Sequence, residues 1–230
     1  QAESHPCHVC PERPDHERWA SRASQVEQQI RGLERRIRTR TETLARQFDR
    51  VLAVLEELGY VHAFAIEPKG RRLARIYGEG DILMAEALAE GLLDGLEPSE
   101  VAALVSTIVY ESRERNPRPS EMPTPASIER YRRFQGIWRH VREAEDRHQV
   151  ELCRELEDGF AAPIYRWAEG ESLEDVLRET DMSPGDFVRT CKQVLDLLRQ
   201  IEDVAPEGSS AVIRRAREAV NRGVVAYTGV

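Results

Sequence analysis

Cys7 and Cys10 form a C-x-x-C pair inside "HPCHVCP", with His5 and His8 interleaved and His16 a little further on. Two thiols at that spacing and two imidazoles can supply the four ligands of tetrahedral zinc. The set is only half a site, because a closed structural site usually brings a second tight ligand pair. The remaining cysteines, Cys153 and Cys191, stand singly far downstream. Proline follows both His5 and Cys10, and a residue before proline is pushed out of the helical region. The stretch is therefore expected to be a tight turn at an end of a stalk, with no metal and no redox role. Zinc held by His5 or His8, Cys7, Cys10 and His16 is the competing assignment.

No other stretch carries a catalytic pattern. The chain has no G-x-x-x-x-G-K-[ST], no G-x-G-x-x-G after a strand, no H-E-x-x-H and no G-x-S-x-G. Glu56 and Glu57, like Glu143, Glu145 and Asp146, are expected on solvated helix faces. His62, His140 and His148 are expected to stand alone.

These residues sit in 230 residues that are 40% hydrophobic and 32% charged, enough for one sizeable core or a core with a projecting element. Net charge is −8, which argues against holding nucleic acid by bulk electrostatics but leaves room for a channel wall with a few arginines. Lys69 and Lys192 are the only lysines among 33 basic residues. Four cysteines without framework spacing suggest reduced thiols and a cytoplasmic protein. No apolar run approaches the roughly 20 residues of a membrane helix, and no signal peptide is visible. The chain opens on Gln1 rather than methionine, as expected of a piece of a longer protein or a processed form.

The elements that must position any site are mainly α-helical. Trp19, Ala23, Val26, Ile30, Leu33, Ile37, Leu44, Phe48, Val51, Leu55 and Leu58 recur at steps that are mostly three and four, a heptad-like seam on one long projecting stalk helix. Gly59 ends it. "YVHAFAIEPKGRRLARIY" comes next as a short β-hairpin turning at Pro68-Lys69-Gly70, the tail of a winged-helix unit. Beyond Gly80 the pattern is a helical bundle. "EPSEVAALVSTIVYESR" is apolar around much of its circumference and is expected at the bundle's centre. After a polar linker with Pro117, Pro119, Pro123 and Pro125, a long helix is expected from about Ser127 to Asp158. Ser172 with Asp175, and Ser183 with Asp186, mark two later helix starts. A last helix, about Ser210 to Arg222, leaves "VVAYTGV" as an extended tail.

Within that bundle, "SLEDVLRETDMSPGDFVRTCKQVLDLL" has the layout of a helix-turn-helix, with Arg189 and Lys192 on its second helix. Two bundle helices joined by a tight turn look the same in sequence. A helix-turn-helix DNA-binding regulator or a helical scaffold protein is thus one class of function open to the chain.

Four blocks in order, "FDRVLAVLEELGYV", "KGRRLARIYGEGDILMAEALAEGLLDGLEPSEVAALVSTIVYESR", "FAAPIYRWAEGESLEDVLRETDMSPGDFVRTCKQVLDLLRQI" and "RGVVAYTGV", resemble the DSHCT domain of superkiller and exosome-associated RNA helicases. Bacterial HelY-like members are the nearest in pattern. The resemblance runs from about Leu44 to Val230, and the segment before it resembles the returning arm of an arch or stalk insertion. It divides the chain into 1–43 (end of the stalk insertion), 44–79 (winged-helix tail) and 80–230 (DSHCT bundle).

The resemblance implies an accessory domain of an ATP-dependent helicase, lining the channel for single-stranded RNA or DNA and supporting unwinding; the regulator or scaffold is the alternative to it. ATP and magnesium would belong to RecA-like domains of the parent chain, which with a winged-helix domain would be its partners. No cofactor, no catalytic residue and no membrane partner are expected in this chain. The family's channel-side positions carry over to Glu111 and Arg189, with Asp186 departing from the usual residue nearby. The residues themselves add a second argument: Glu111 puts a charge at the end of a strongly apolar helix, and Arg189 lies between Phe187, Val188 and Val194.

Overall fold

A computed structural model of the chain describes residues 10–78, 80–112 and 121–227, without the side chains of residues 34–42. His5, Cys7, His8, Ile37, Pro117 and Pro119 lie outside that set. The chain divides into two compact units, Gln1–Arg50 and Val51–Val230.

The first unit is built on helix α1 (Arg13–Glu57), 45 residues that span about 68 Å at the usual rise. Pairs one turn apart line its surface, Arg13 with Glu17 at 2.6 Å and Glu27 with Arg31 at 3.6 Å. The expected seam is present, but Trp19, Val26, Ile30, Leu33, Leu44 and Phe48 are all exposed.

In the second unit the last turns of α1 bury Val54 and Leu58. Gly59, at φ 74°, closes the helix: the Tyr60 amide donates to Leu55 O at 2.8 Å and the Gly59 amide to Glu56 O at 3.1 Å. Strands β1 (Val61–His62) and β2 (Ala65–Ile66) pair antiparallel, Val61 opposite Ile66. The hairpin is shorter than the sequence suggests and turns at Ala63-Phe64, not at Pro68-Lys69-Gly70. That tripeptide instead opens helix α2 (Pro68–Leu73), because proline's fixed φ suits the first helical position. Gly70 is needed there for a different reason: a Cβ would stand 2.3 Å from Tyr60 O.

Helix α3 (Asp81–Ala89) leads to α4 (Pro98–Val109), in which every residue from Ser99 to Ile108 is buried. As expected, α4 is central, packing against α5 (Pro125–His148), α6 (Ala161–Ala168), α8 (Pro184–Glu202) and α9 (Glu207–Val220). Beside it an aromatic stack runs from Tyr110 to Phe160, Phe187 and Trp167, with successive ring centroids 5.8, 5.4 and 5.6 Å apart.

Two helix ends differ from expectation. α5 stops at His148 rather than Asp158, with Gln149 left-handed at φ 56° and the Val150 amide donating to Glu145 O at 3.1 Å. Residues 150–158 then run as an irregular strap. Tertiary hydrogen bonds replace the helical ones: the Glu157 amide donates to Thr107 O at 3.0 Å, Trp138 Nε1 to Arg154 O at 2.8 Å, and the Cys153 amide to Glu145 Oε1 at 3.0 Å. At the C-terminus, Gly223–Ala226 forms a short helix α10 instead of an extended tail, with Val225 buried. Arg222 holds it, lying 3.7 Å over the Trp167 ring and donating from Nε to Trp167 O at 2.9 Å. Ser172 and Ser183 cap α7 (Leu173–Arg178) and α8 as the sequence indicates.

Candidate nucleic-acid interface

Three segments of the second unit enclose a groove of about 790 Å³. One wall is α8. Phe187, Cys191, Val194 and Leu198 face the core, so the helical period turns Arg189, Lys192, Gln193, Asp196 and Gln200 toward the groove. The second wall is the end of α4 with the strap, bringing Ile108, Val109, Glu111 and Arg154. The third is the link from α2 to α3, Ile76 to Gly78 with Gly80 and Asp81.

Both residues singled out from the sequence therefore line one groove. Glu111 lies two residues past the end of α4, its side chain 72% exposed and 3.0 Å from Arg154 Nη1. Arg154 is set for this by its own backbone-directed bond, Nη2 donating to Ile108 O at 3.1 Å. Arg189, 53% exposed, pairs at 2.9 Å with Asp186, one helical turn earlier, which orients the arginine. Glu111 and Arg189 thus have separate partners rather than each other.

Sequence reasoning missed Arg154 and Tyr77. Arg154 was hidden inside an expected helix, and Tyr77 inside an expected strand. The Tyr77 amide donates to Gln200 Oε1 at 2.6 Å, fastening the link to α8, while its ring is 73% exposed. Asp81, at the start of α3, is pushed above the usual carboxylate range by burial, against the Ile82 amide that donates to it at 2.6 Å.

The other candidates sort differently. Cys10 Sγ and His16 Nδ1 stand 3.9 Å apart, and no group of three or more metal-ligating side chains occurs among the described residues. Cys7, His5 and His8 lie outside them. Burial pushes the thiols of Cys153 and Cys191 up, which keeps them protonated and unreactive. One expectation of a solvated carboxylate fails, and Glu57, although exposed, is paired. Glu145 is fully buried, because it receives the Cys153 amide and Arg142 Nη1 at 2.8 Å. Glu57 receives Arg147 Nε at 3.0 Å and lies 2.8 Å from His148 Nε2, so His148 is not isolated. The hydrogen bond from Arg147, then that from His148, holds the Glu57 carboxyl below the usual range. Among the described residues no helix is long and apolar enough to cross a membrane.

Comparison with known proteins places the chain in a family. The chain is 38% identical over 242 residues to the probable helicase HelY of Mycobacterium tuberculosis, a match that covers 98% of this chain and 27% of that protein. It is 40% identical over 223 residues to HelY of Mycobacterium leprae, covering 90% of this chain and 24% of the relative. Similarity extends to the ATP-dependent RNA helicase mtr4 of Schizosaccharomyces pombe, 27% identical over 158 residues, which are 66% of this chain and 14% of that protein. The chain thus spans about a quarter of the length of the HelY relatives. The DSHCT (NUC185) family model matches residues 63–228, a span that contains every groove wall, and the chain belongs to that family.

Proposed function

We propose that this chain is an accessory domain of an ATP-dependent helicase and that the groove between α4 and α8 lines the path of a single strand of RNA or DNA. The observation that carries this is the meeting of Glu111 and Arg189 on one groove, from segments distant in sequence, in a chain whose relatives are named helicases. Both side chains are exposed and oriented by an ion pair, so each can exchange part of that pairing for a base edge without unfolding anything. A Glu accepts from exocyclic amines and an Arg donates to base acceptors, so the two together touch bases of either polarity. The RecA-like domains, outside this chain, would bind ATP and magnesium and carry most phosphate contacts.

The test is made in the full parent. Loss of one polar contact to a base costs about 1–3 kcal/mol. Arg189→Ala and Glu111→Ala should each lower nucleic-acid-stimulated ATPase and unwinding by a factor in the range of about 5 to 150, with the fold intact by circular dichroism. Wild-type unwinding by both variants across a range of salt would remove the groove from the strand's path.

A further inference from the structure

The groove wall is close to electrically neutral. Asp81, Glu111 and Asp196 stand against Arg154, Arg189 and Lys192. Two of the three cations already hold carboxylates, Arg154 that of Glu111 and Arg189 that of Asp186. With the chain at net −8, phosphate attraction alone is a weak hold on a strand here. Binding must then come from the bases, and the sequence-tolerant way to hold an unpaired base is to stack it on an aromatic ring.

Among the described residues Tyr77 is the one aromatic side chain in the wall. Its position has the features of a stacking platform. The backbone is anchored just before the ring's attachment, by the bond from Tyr77's own amide to Gln200 at 2.6 Å and by the preceding Ile76, which is 3% exposed in the core. The ring itself is 73% exposed, and its hydroxyl has no partner among the described residues. A structural tyrosine normally buries its ring and satisfies its hydroxyl, as Tyr60 and Tyr131 do with Glu86 Oε1 at 2.8 Å and Leu156 O at 3.2 Å. Tyr77 does neither.

We infer that Tyr77 stacks an unpaired base of the strand held between Glu111 and Arg189. This rests on the reading of the groove as the single-strand path, and its test keeps the two apart. The whole chain is titrated by fluorescence anisotropy with a labelled oligouridine and with an abasic strand of equal length. Tyr77→Ala should weaken oligouridine binding by about 5- to 100-fold, Tyr77→Phe should bind like wild type, and the abasic strand should not distinguish the three. If Arg189→Ala weakens oligouridine binding and Tyr77→Ala does not, the groove holds the strand and the stacking assignment alone falls. If the wild-type chain binds neither probe, or neither variant differs from it, both fall. An equal loss on the abasic strand in Tyr77→Ala also overturns stacking, because no base is present to stack.

Discussion

The first unit and the second use the same helical grammar with opposite outcomes. In the first, the apolar seam of α1 is exposed at Trp19, Val26, Ile30 and Leu33, and its charges pair along the helix surface, where each pair contributes about 0.3–0.5 kcal/mol. In the second, apolar side chains interlock around α4, and several polar groups pair inside. Lys69 and Glu86 meet at 2.6 Å, with the Tyr60 hydroxyl on the same carboxylate at 2.8 Å. Burial, then Glu86, pushes the Tyr60 phenol far above its ordinary range, so it remains a donor. A repeating seam thus suffices to make a helix, whereas a groove held at fixed geometry needs walls that share a core. Glu111 and Arg189 are in the part of the chain that has one.

The contrast is sharpest at the aromatic stack. Phe187, at the start of α8, is fully buried between Phe160 and Trp167. Truncating such a ring costs about 3–5 kcal/mol. Because a domain of this kind is stable by only about 5–15 kcal/mol, Phe187→Ala should shift the urea midpoint of the second unit to much lower denaturant. A loss below about 1 kcal/mol would mean that α8 is not set by this core, and the distinction between the units would collapse.

A smaller effect is expected from the buried polar cluster. Glu86→Ala removes the acceptor of both Lys69 and Tyr60, leaving the ammonium over the Tyr60 ring at 4.5 Å and donating to Leu58 O at 2.9 Å. The Lys69 side chain is 29% exposed, so water can take up part of the loss and about 1–3 kcal/mol is expected rather than the larger penalty of a fully buried pair. The paired change Lys69→Met with Glu86→Leu should recover part of it in the same urea titration. If Glu86→Ala unfolds at the wild-type midpoint, internal pairing does not distinguish this unit from the surface pairs of α1.

Legibility in the sequence divides along the same line. Long-range periodicity and caps are local, so α1, the central α4, and the Ser172 and Ser183 starts were legible. The strap was not. Cys153 and Leu156 are buried three residues apart, a spacing a helix would also produce, and Gln149 carries no mark of the left-handed turn it makes. Bonds to Thr107 of α4, far back in the chain, and to Trp138 and Glu145 of α5 draw the chain out of the helix. Arg154 was missed with it. The hairpin failed for a related reason: Ala63 and Phe64 at φ 48° and 64° are unusual in a turn that favours Asn or Gly. Glu111 and Arg189 are legible through the blocks that resemble a family, and Asp186, three residues before Arg189 on the same helix, is a local partner, whereas Arg154, which orients Glu111, is brought to it only by the tertiary fold.

The smallest effect is expected where the seam is bare. Trp19 is 64% exposed, and its ring contact among the described residues is the Arg22 guanidinium 5.6 Å from the ring centroid. An exposed contact of that kind contributes about 0.5 kcal/mol, and a surface substitution away from any core usually stays within about that value. Trp19→Ser should therefore leave the urea midpoint of the second unit unchanged and lower far-UV helicity only slightly. The outcome must also be independent of protein concentration. If the variant loses helicity steeply, and the wild-type chain gains it as concentration rises, the seam is covered by a second copy in solution. The first unit would then obey the same rule as the bundle, its helix held by burial rather than by its own sequence.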